Sequence, residues 1–247
     1  MKKILFTAIA ILLVLTILCG CEKPQGEQPI PSMPSVEIIP EENEEEVPSV
    51  SAEEVYAPQI ERYYKALSEQ WDEGAYFEHE MSPMAIYYYE GNALDNIGYS
   101  LMDLNGDENP ELVIGAIYNS DLDPLVFEIW TLNNGEPEIL AQSGSRNRYY
   151  LQYSEEEELW TIAYEAENGA ANRANYYLHI SEGKFEVIQG IIFDAFANEN
   201  APWFMAYDLD WDISNDTPVD EETAMGVIEA WRNLYTAADY IHYSQYK

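Results

Sequence analysis

The segment that most constrains this chain is an acidic stretch directly before an apolar run. From residue 103 to residue 111 every second side chain carries an oxygen, and Leu112, Val113 and Ile114 follow. Calcium loops in proteins place their oxygen ligands at alternate positions in this way. The spacing therefore predicts a loop around a structural calcium ion, followed by a β-strand. The predicted metal ligands are Asp103, Asn105, Asp107, Asn109 and Glu111.

The loop departs from the EF-hand pattern at two positions. The sixth position, which is Gly in EF-hands, is Glu108, and the twelfth, which is a bidentate Glu, is Ile114. Gly106 offers another place for the turn. A complete ligand set therefore needs water or a carboxylate from elsewhere, and the candidates are Asp121 and Asp123, or Asp208, Asp210 and Asp212. The alternative is a metal-free turn in which the Asp and Asn side chains accept hydrogen bonds from local backbone N–H groups.

A second acidic stretch, at residues 208–212, also alternates carboxylates with other side chains. Leu209 and Trp211 separate the three aspartates, and no glycine is present to form a turn. Either a second metal site or an edge strand with one acidic face fits this pattern. The missing glycine favours the edge strand.

The N-terminus has the features of an export signal. Lys2 and Lys3 precede an apolar run, and the run ends in Leu18, Cys19, Gly20 and Cys21. This sequence resembles the signal and lipobox of bacterial lipoproteins, which implies a signal peptide at residues 1–20 and lipid on Cys21. The alternative is an uncleaved membrane helix, for which the apolar run is short. The expected location is the extracellular face of the bacterial cell membrane, with the membrane as partner through the Cys21 lipid.

Residues 21–54 are predicted to be a disordered tether, and residues 55–247 a single domain. The tether contains the lipidated cysteine, six prolines and the acidic run at residues 41–46, a composition that opposes compact folding. The whole chain has 46 acidic residues, 11 Lys and Arg residues and a formal net charge of −35. Nucleic acid is excluded as a partner because its phosphates require basic side chains. Cations or basic ligands remain as electrostatic partners, although such a charge also serves solubility.

The predicted fold class is α+β. We expect an antiparallel sheet of six to eight strands with an N-terminal and a C-terminal helix packed against it. Apolar spacing predicts the first helix from about Pro58, with the proline in its first turn. Thr217 and Pro218 are expected to begin the last helix, with Asp220 near its start. The eight predicted strands are 99–104, 112–118, 126–132, 138–141, 149–153, 159–166, 175–180 and 185–191.

The acidic loop and its surroundings resemble two groups of proteins. The pattern from Asp103 to Leu112 is similar to the calcium loops of FG-GAP and dockerin-type modules. The wider segment from Gly98 to Gly115 resembles one found in poorly characterised surface lipoproteins of Gram-positive gut bacteria, which combine a lipobox, an acidic tether, a helix, an acidic loop and antiparallel strands. This resemblance implies an exported binding or accessory protein with no established activity.

No motif of a known catalytic class is present in the sequence. The three histidines, His79, His179 and His242, lie outside any His-Glu-x-x-His pattern, and there is neither a Gly-x-Ser-x-Gly elbow nor a phosphate-binding Gly-Lys-Ser loop. We therefore expect that the protein is not an enzyme. We expect it to be a binding module for a glycan, a peptide or an envelope protein. The alternatives are a hydrolase that uses Asp and Glu, and a purely structural envelope protein. The 20 Tyr and 6 Trp residues fit either a ligand platform or core and cross-strand packing.

Overall fold

The structure is a computed structural model that describes residues 51–117, 124–155, 159–197 and 201–247. The predicted signal peptide, the predicted lipid site at Cys21 and nearly all of the predicted tether lie outside these residues. Asp121 and Asp123, two of the candidate additional ligands, also lie outside them.

The described residues form four α-helices, three 3-10 helices and eleven strands. The α-helices are α1 (Ala52–Ser68), α2 (Glu73–Glu78), α3 (Ala93–Asn96) and α4 (Glu221–Arg232), and 3-10 helices span Pro83–Tyr88, Ile213–Asn215 and Tyr243–Gln245. The strands are β1 (Ile97–Met102), β2 (Glu111–Ala116), β3 (Leu125–Asn133), β4 (Glu136–Gln142), β5 (Asn147–Ser154), β6 (Leu159–Glu167), β7 (Asn172–Ser181), β8 (Lys184–Asp194), β9 (Trp203–Ala206), β10 (Thr217–Val219) and β11 (Ile241–His242).

All described strand pairs are antiparallel and belong to one sheet. The order is β10-β9-β8-β7-β6-β5-β3-β2-β1-β11, and β4 pairs with β3 alongside this path. β3 contacts β5 at Leu125 and Val126 and β4 from Glu128 onward. The connection between β4 and β5 therefore lies where β3 changes its partner from β5 to β4.

The structure confirms the α+β class and the antiparallel sheet, but the predicted number of six to eight strands is wrong. The sheet has 11 strands. Each of the eight predicted strands overlaps one of β1 to β8, and the strands missed are β9, β10 and β11. These contain four, three and two residues. Such short strands are missed because an alternating pattern requires a longer segment to be recognised.

The predicted arrangement of one N-terminal and one C-terminal helix is also too simple. Three α-helices and a 3-10 helix precede β1, and β11 with a further 3-10 helix follows α4. The helices are therefore neither single nor confined to the ends of the domain.

Helix α1 begins earlier than predicted. Ser51 and Glu54 form a reciprocal capping box, with 3.3 Å between the Glu54 N and the Ser51 Oγ and 3.2 Å between the Ser51 N and the Glu54 Oε2. Pro58 consequently lies inside the helix rather than in its first turn. An internal proline removes one backbone hydrogen bond, and the complete burial of Tyr56 and Ile60 offsets this loss.

Helix α4 begins later than predicted. The N-cap is Asp220, whose carboxylate accepts a 2.7 Å hydrogen bond from the Thr223 N–H. Thr217 and Pro218 do not begin the helix, because they belong to β10 and pair with β9. A proline is compatible both with the start of a helix and with an edge strand, so its presence alone does not distinguish the two.

Two large apolar clusters cover opposite faces of the central strands. One joins α1 and the 3-10 helix at Pro83–Tyr88 to β1, β2 and β3, and the other joins β2 and β3 to β5 through β9. All six residues of β2 are buried as a result. Any loop attached to β2 is therefore held by a strand that is packed on both sides.

A notch formed by two glycines receives the C-terminal segment. Gly98 in β1 lies directly opposite Gly115 in β2. A Cβ atom on Gly98 would lie 2.7 Å from the Ile241 carbonyl oxygen and 2.8 Å from the Tyr240 Cβ, and one on Gly115 would overlap the Tyr240 hydroxyl. The absence of side chains at both positions thus leaves room for Tyr240 and allows β11 to pair with β1.

Candidate functional sites: an acidic loop and a groove with exposed aromatic rings

Asp103 organises the acidic loop between β1 and β2. Its carboxylate accepts hydrogen bonds from the backbone N–H groups of Gly106 (2.7 Å), Asp107 (3.2 Å) and Glu108 (3.0 Å). Burial opposes ionisation of Asp103, but these backbone donors outweigh it and lower its pKa. Asp103 is therefore held as a carboxylate at the start of the loop.

Glu111 fixes the other end of the loop to the sheet. Its side chain is buried, and its Oε2 accepts a 2.9 Å hydrogen bond from the Leu104 N–H. Its Oε1 accepts hydrogen bonds from the Thr131 hydroxyl at 3.2 Å and from the Asn105 amide at 3.4 Å. The loop is thereby closed on itself and connected to β3.

The loop places a buried carboxylate beside two further acidic side chains. Burial raises the pKa of Glu111, and the charges of Asp107 and Asp103 raise it further. The Nδ2 of Asn105 lies between this group and Asp107, 3.1 Å from the Asp107 Oδ2. A bound cation would lower the free energy of this arrangement, because it would offset the repulsion between the carboxylates.

All five predicted ligands are connected by hydrogen bonds in the structure. Asp103, Asn105, Asp107 and Glu111 are connected by the hydrogen bonds described above. The exposed Asn109 joins them through Asp107, because its side chain donates to the Asp107 carbonyl oxygen at 3.3 Å and its N–H to the Asp107 Oδ1 at 2.7 Å. Within the four described ranges, no group of three or more His, Cys, Asp or Glu residues is arranged as a metal site.

The donor set nevertheless fits a hard cation. Carboxylate and amide oxygens are the ligands that calcium prefers. The hydrogen bonds that connect these side chains also match the metal-free Asx turn, so the loop geometry is compatible with both sequence interpretations.

Glu108 occupies the position of the EF-hand glycine in a left-handed conformation. Its φ is +70°, and the φ of Gly106 is +78°. The loop thus turns at both residues, and only one of them is glycine. A non-glycine residue in this conformation is strained by about 1 kcal/mol.

Replacing Glu108 with Gly is expected to stabilise the domain. Relief of the strain should raise the free energy of unfolding by about 0.5 to 1 kcal/mol, measured by denaturant unfolding. The matched control is Glu61→Gly, which changes an exposed glutamate inside α1 and should lower stability by about 1 kcal/mol. A loss of stability in Glu108→Gly would show that the Glu108 side chain stabilises the loop.

The second acidic stretch is not the edge strand that its pattern favours. β9 ends at Ala206, and residues 207–211 form bends. The Asp210 Oδ1 accepts a 2.7 Å hydrogen bond from the Asp212 N–H, and Asp212 caps the 3-10 helix at Ile213–Asn215. Burial raises the pKa of Asp216, as do the charges of Asp208, Asp210 and Asp212. No hydrogen bond or ion pair between described residues connects this group to the loop at residues 103–111.

A groove lies between the helical segments that precede β1 and the connection between β4 and β5. Its volume is about 580 Å³, and its walls are formed by residues 72, 73, 77, 83, 84, 86, 87 and 142–147. Two aromatic side chains of the lining, Phe77 and Tyr87, are 61% and 72% exposed. Among the described residues, the Glu73, Ser145 and Arg146 side chains have no hydrogen-bond or ion-pair partner. The groove therefore offers apolar rings together with polar groups that no other described residue engages.

Glu128 is the most deeply buried ionisable group near this groove. It is fully buried, and burial raises its pKa. Its carboxylate accepts hydrogen bonds from the Ser82 N–H (2.8 Å), the Trp130 indole (2.9 Å) and the Gln142 amide (3.2 Å). Glu128 does not line the groove. A general acid must reach the reacting group, so this arrangement fits a structural role.

The three histidines lie in separate places. His79 stacks on Trp71 with 4.4 Å between ring centroids, His179 lies 3.2 Å from a Glu186 carboxylate oxygen, and the His242 Nδ1 lies 3.0 Å from the Asp95 carbonyl oxygen. They do not come together as a metal site or as part of a common triad.

Sequence reasoning missed the groove because three distant segments form it. Tyr87 belongs to a run of three tyrosines in which Tyr88 is buried, and nothing in the run shows which ring faces solvent. The other tyrosine pairs largely pack, as in the stack of Tyr149 on Tyr164 at 4.5 Å between centroids.

Comparisons with known proteins identify no relative. No protein-family model, no curated protein and no solved structure matches this chain. None of the helices within the described residues is long and apolar enough to cross a membrane.

Proposed function

We propose that this chain is a membrane-anchored extracellular lipoprotein whose domain is a calcium-stabilised, non-catalytic binding module for a glycan. The observation that carries the binding role is the groove with exposed Phe77 and Tyr87. Its volume lies within the range of about 300 to 1,000 Å³ that is typical of ligand sites. Exposed aromatic side chains in a groove are typical of binding surfaces.

A glycan suits the chemistry of the groove better than an apolar ligand. The C–H faces of sugar rings pack on flat aromatic side chains, and their hydroxyl groups hydrogen-bond with polar groups such as Ser145 and Glu73, which have no partner among the described residues. Tyr87 offers both a ring and a hydroxyl.

The lipobox at residues 18–21 and the acidic, proline-rich segment after it support the location. By resemblance, Cys21 carries the lipid, and residues 22–54 link it to the domain. The absence of any other cysteine after Cys21 means that disulfide bonds do not stabilise the domain. A calcium ion at Asp103, Asn105, Asp107 and Glu111 would then supply stability outside the cell, where calcium is abundant.

Removing the two exposed rings should weaken glycan binding. We expect the double variant Phe77→Ala and Tyr87→Ala to lose about tenfold or more in affinity, because each stacked ring contributes about 0.5 to 1.5 kcal/mol. The measurement is calorimetric titration of the full chain with the glycans that a mixed panel identifies.

The matched control is Phe196→Ala with Tyr207→Ala, which removes one Phe ring and one Tyr ring that are exposed elsewhere. Equal losses in both double variants would contradict the role of the groove. Release of shortened glycan products by the unmodified chain would support the hydrolase alternative and exclude a purely binding role.

A further inference from the structure

Half of the basic residues in the domain line one small depression. Residues 51–247 contain eight Lys and Arg residues, and four of them, Arg146, Arg148, Arg173 and Arg232, surround a depression of about 160 Å³. The chain as a whole has a net charge of −35. Concentration of positive charge at one place in such a protein calls for a specific explanation.

Strand register and helix α4 bring these arginines together. Arg148 in β5 lies opposite Glu165 in β6, and Arg173 in β7 lies opposite Glu167 in β6. The Arg146 carbonyl oxygen accepts a 2.8 Å hydrogen bond from the Glu167 N–H, which fixes Arg146 at the same end of the sheet.

The positive charge of the depression is only partly compensated. Two glutamates, Glu165 and Glu167, line it together with the four arginines, which leaves a surplus of two positive charges. Glu165 is already engaged, because its Oε1 lies 2.9 Å from both the Nε and the Nη2 of Arg232 and accepts a 3.0 Å hydrogen bond from the Tyr235 hydroxyl.

Two of the guanidinium groups have no partner among the described residues. Neither Arg146 nor Arg148 forms a hydrogen bond or ion pair through its side chain with any described residue, and both are exposed. The Arg173 guanidinium lies over the Phe193 and Trp203 rings, 4.8 and 5.2 Å from their centroids, which leaves its N–H groups directed along its own plane.

These groups suit an oxyanion. The planar guanidinium donates two parallel N–H bonds to a carboxylate or a phosphate, and such charge-assisted bonds are stronger than neutral ones. At physiological ionic strength the screening length is about 8 Å. The nearby arginines therefore dominate the field inside the depression, although the whole chain is acidic.

The depression adjoins the aromatic groove. Ser145 and Arg146 line both, so a ligand in the groove extends directly to the arginines. We propose that the depression is an oxyanion subsite and that the ligand of the groove is an anionic glycan, whose carboxylate or phosphate group binds Arg146 and Arg148. This inference rests on the proposed binding of a glycan in the groove.

The test is calorimetric titration of the full chain with two anionic probes, oligogalacturonate for a sugar carboxylate and a phosphodiester-linked glycan for a phosphate. Methyl-esterified oligogalacturonate is the neutral counterpart. We expect at least one anionic probe to bind, and Arg146→Gln with Arg148→Gln to weaken it by about a hundredfold or more, since losing each hydrogen bond to a charged group costs about tenfold or more in affinity. Which probe binds identifies the source of the oxyanion.

The matched control is Lys184→Gln with Lys247→Gln, which removes the same charge from other exposed positions. Affinity should be unchanged in this control. Equal binding of the neutral ester, equal losses in the two double variants, or binding of poly-glutamate instead of either glycan would overturn the proposal.

The outcomes separate this inference from the proposed function. Glycan binding that depends on Phe77 and Tyr87 but not on Arg146 and Arg148 would leave the function in place and exclude the oxyanion subsite. Binding of an anionic probe that depends on the arginines but not on the rings would support the oxyanion subsite and contradict the role of the groove.

Discussion

Replacing Gly98 with Ala is expected to destabilise the domain by about 2 to 3 kcal/mol. The added Cβ would lie 2.7 Å from the Ile241 carbonyl oxygen and 2.8 Å from the Tyr240 Cβ. Both atoms belong to or adjoin the backbone, so a change of side-chain rotamer does not relieve the overlap. Overpacking of a well-packed site costs about 1 to 3 kcal/mol, and here it also separates β11 from β1.

Denaturant unfolding of the full chain measures this loss, and proteolysis after Thr236 should become faster if the C-terminal segment is released. Gly226→Ala is the matched control, because no atom lies within 4 Å of the added Cβ on the exposed side of α4. It should raise stability by about 1 kcal/mol through helix propensity. A stability of Gly98→Ala equal to that of the unmodified chain would mean that β11 does not pack in the glycine notch.

The two glycines of the notch are also the end residues of the segment from Gly98 to Gly115. In the sequence it is an acidic loop with flanking residues, whereas the structure places its two end residues opposite each other in adjacent strands. The segment therefore combines two structural requirements, an acidic loop between the strands and a flat site for Tyr240.

The strands that could be predicted are those long enough to show a pattern. β1 to β8 have six to eleven residues and were all recognised. β9, β10 and β11 contain only four, three and two residues, too few for an alternating pattern to be recognised. The start of α1 was misplaced for a different reason, because the general preference against internal proline conflicted with the capping box at Ser51 and Glu54.

The grouping of the acidic-loop residues was predictable because they are local in sequence. Asp103, Asn105, Asp107 and Glu111 lie within nine residues, and their connection needs no tertiary contact. The groove and the arginine depression were not predictable in this way. Arg148 and Arg232 are separated by 84 positions, and only the packing of α4 against the sheet brings them to one place.

Calcium is expected to stabilise the domain through this loop. An extracellular site with imperfect ligands binds calcium with a dissociation constant of about 10⁻⁴ to 10⁻³ M. At about 10 mM calcium, binding to the folded state alone would add about 1.4 to 2.7 kcal/mol. For a domain of this size that corresponds to a rise of about 3 to 10 °C in the melting temperature. The stabilisation arises because the calcium charge offsets the repulsion among the carboxylates of Glu111, Asp107 and Asp103.

Asp107→Ala should abolish the response to calcium. The Asp107 carboxylate accepts hydrogen bonds from the Asn109 N–H at 2.7 Å and from the Asn105 amide at 3.1 Å, so the variant will also melt somewhat lower without metal. The informative quantity is therefore the difference between calcium and chelator for each protein. Asp239→Ala removes an equal charge from an exposed position outside the loop and should respond to calcium like the unmodified chain.

The most direct test of a calcium-stabilised module is the melting temperature of the full chain in chelator, in calcium and in magnesium at equal ionic strength. We predict a rise in calcium that magnesium does not reproduce, because magnesium requires tight octahedral geometry, and no rise in Asp107→Ala. An identical melting temperature in chelator and in calcium would contradict the account, and the loop would then be a metal-free turn that joins β1 to β2.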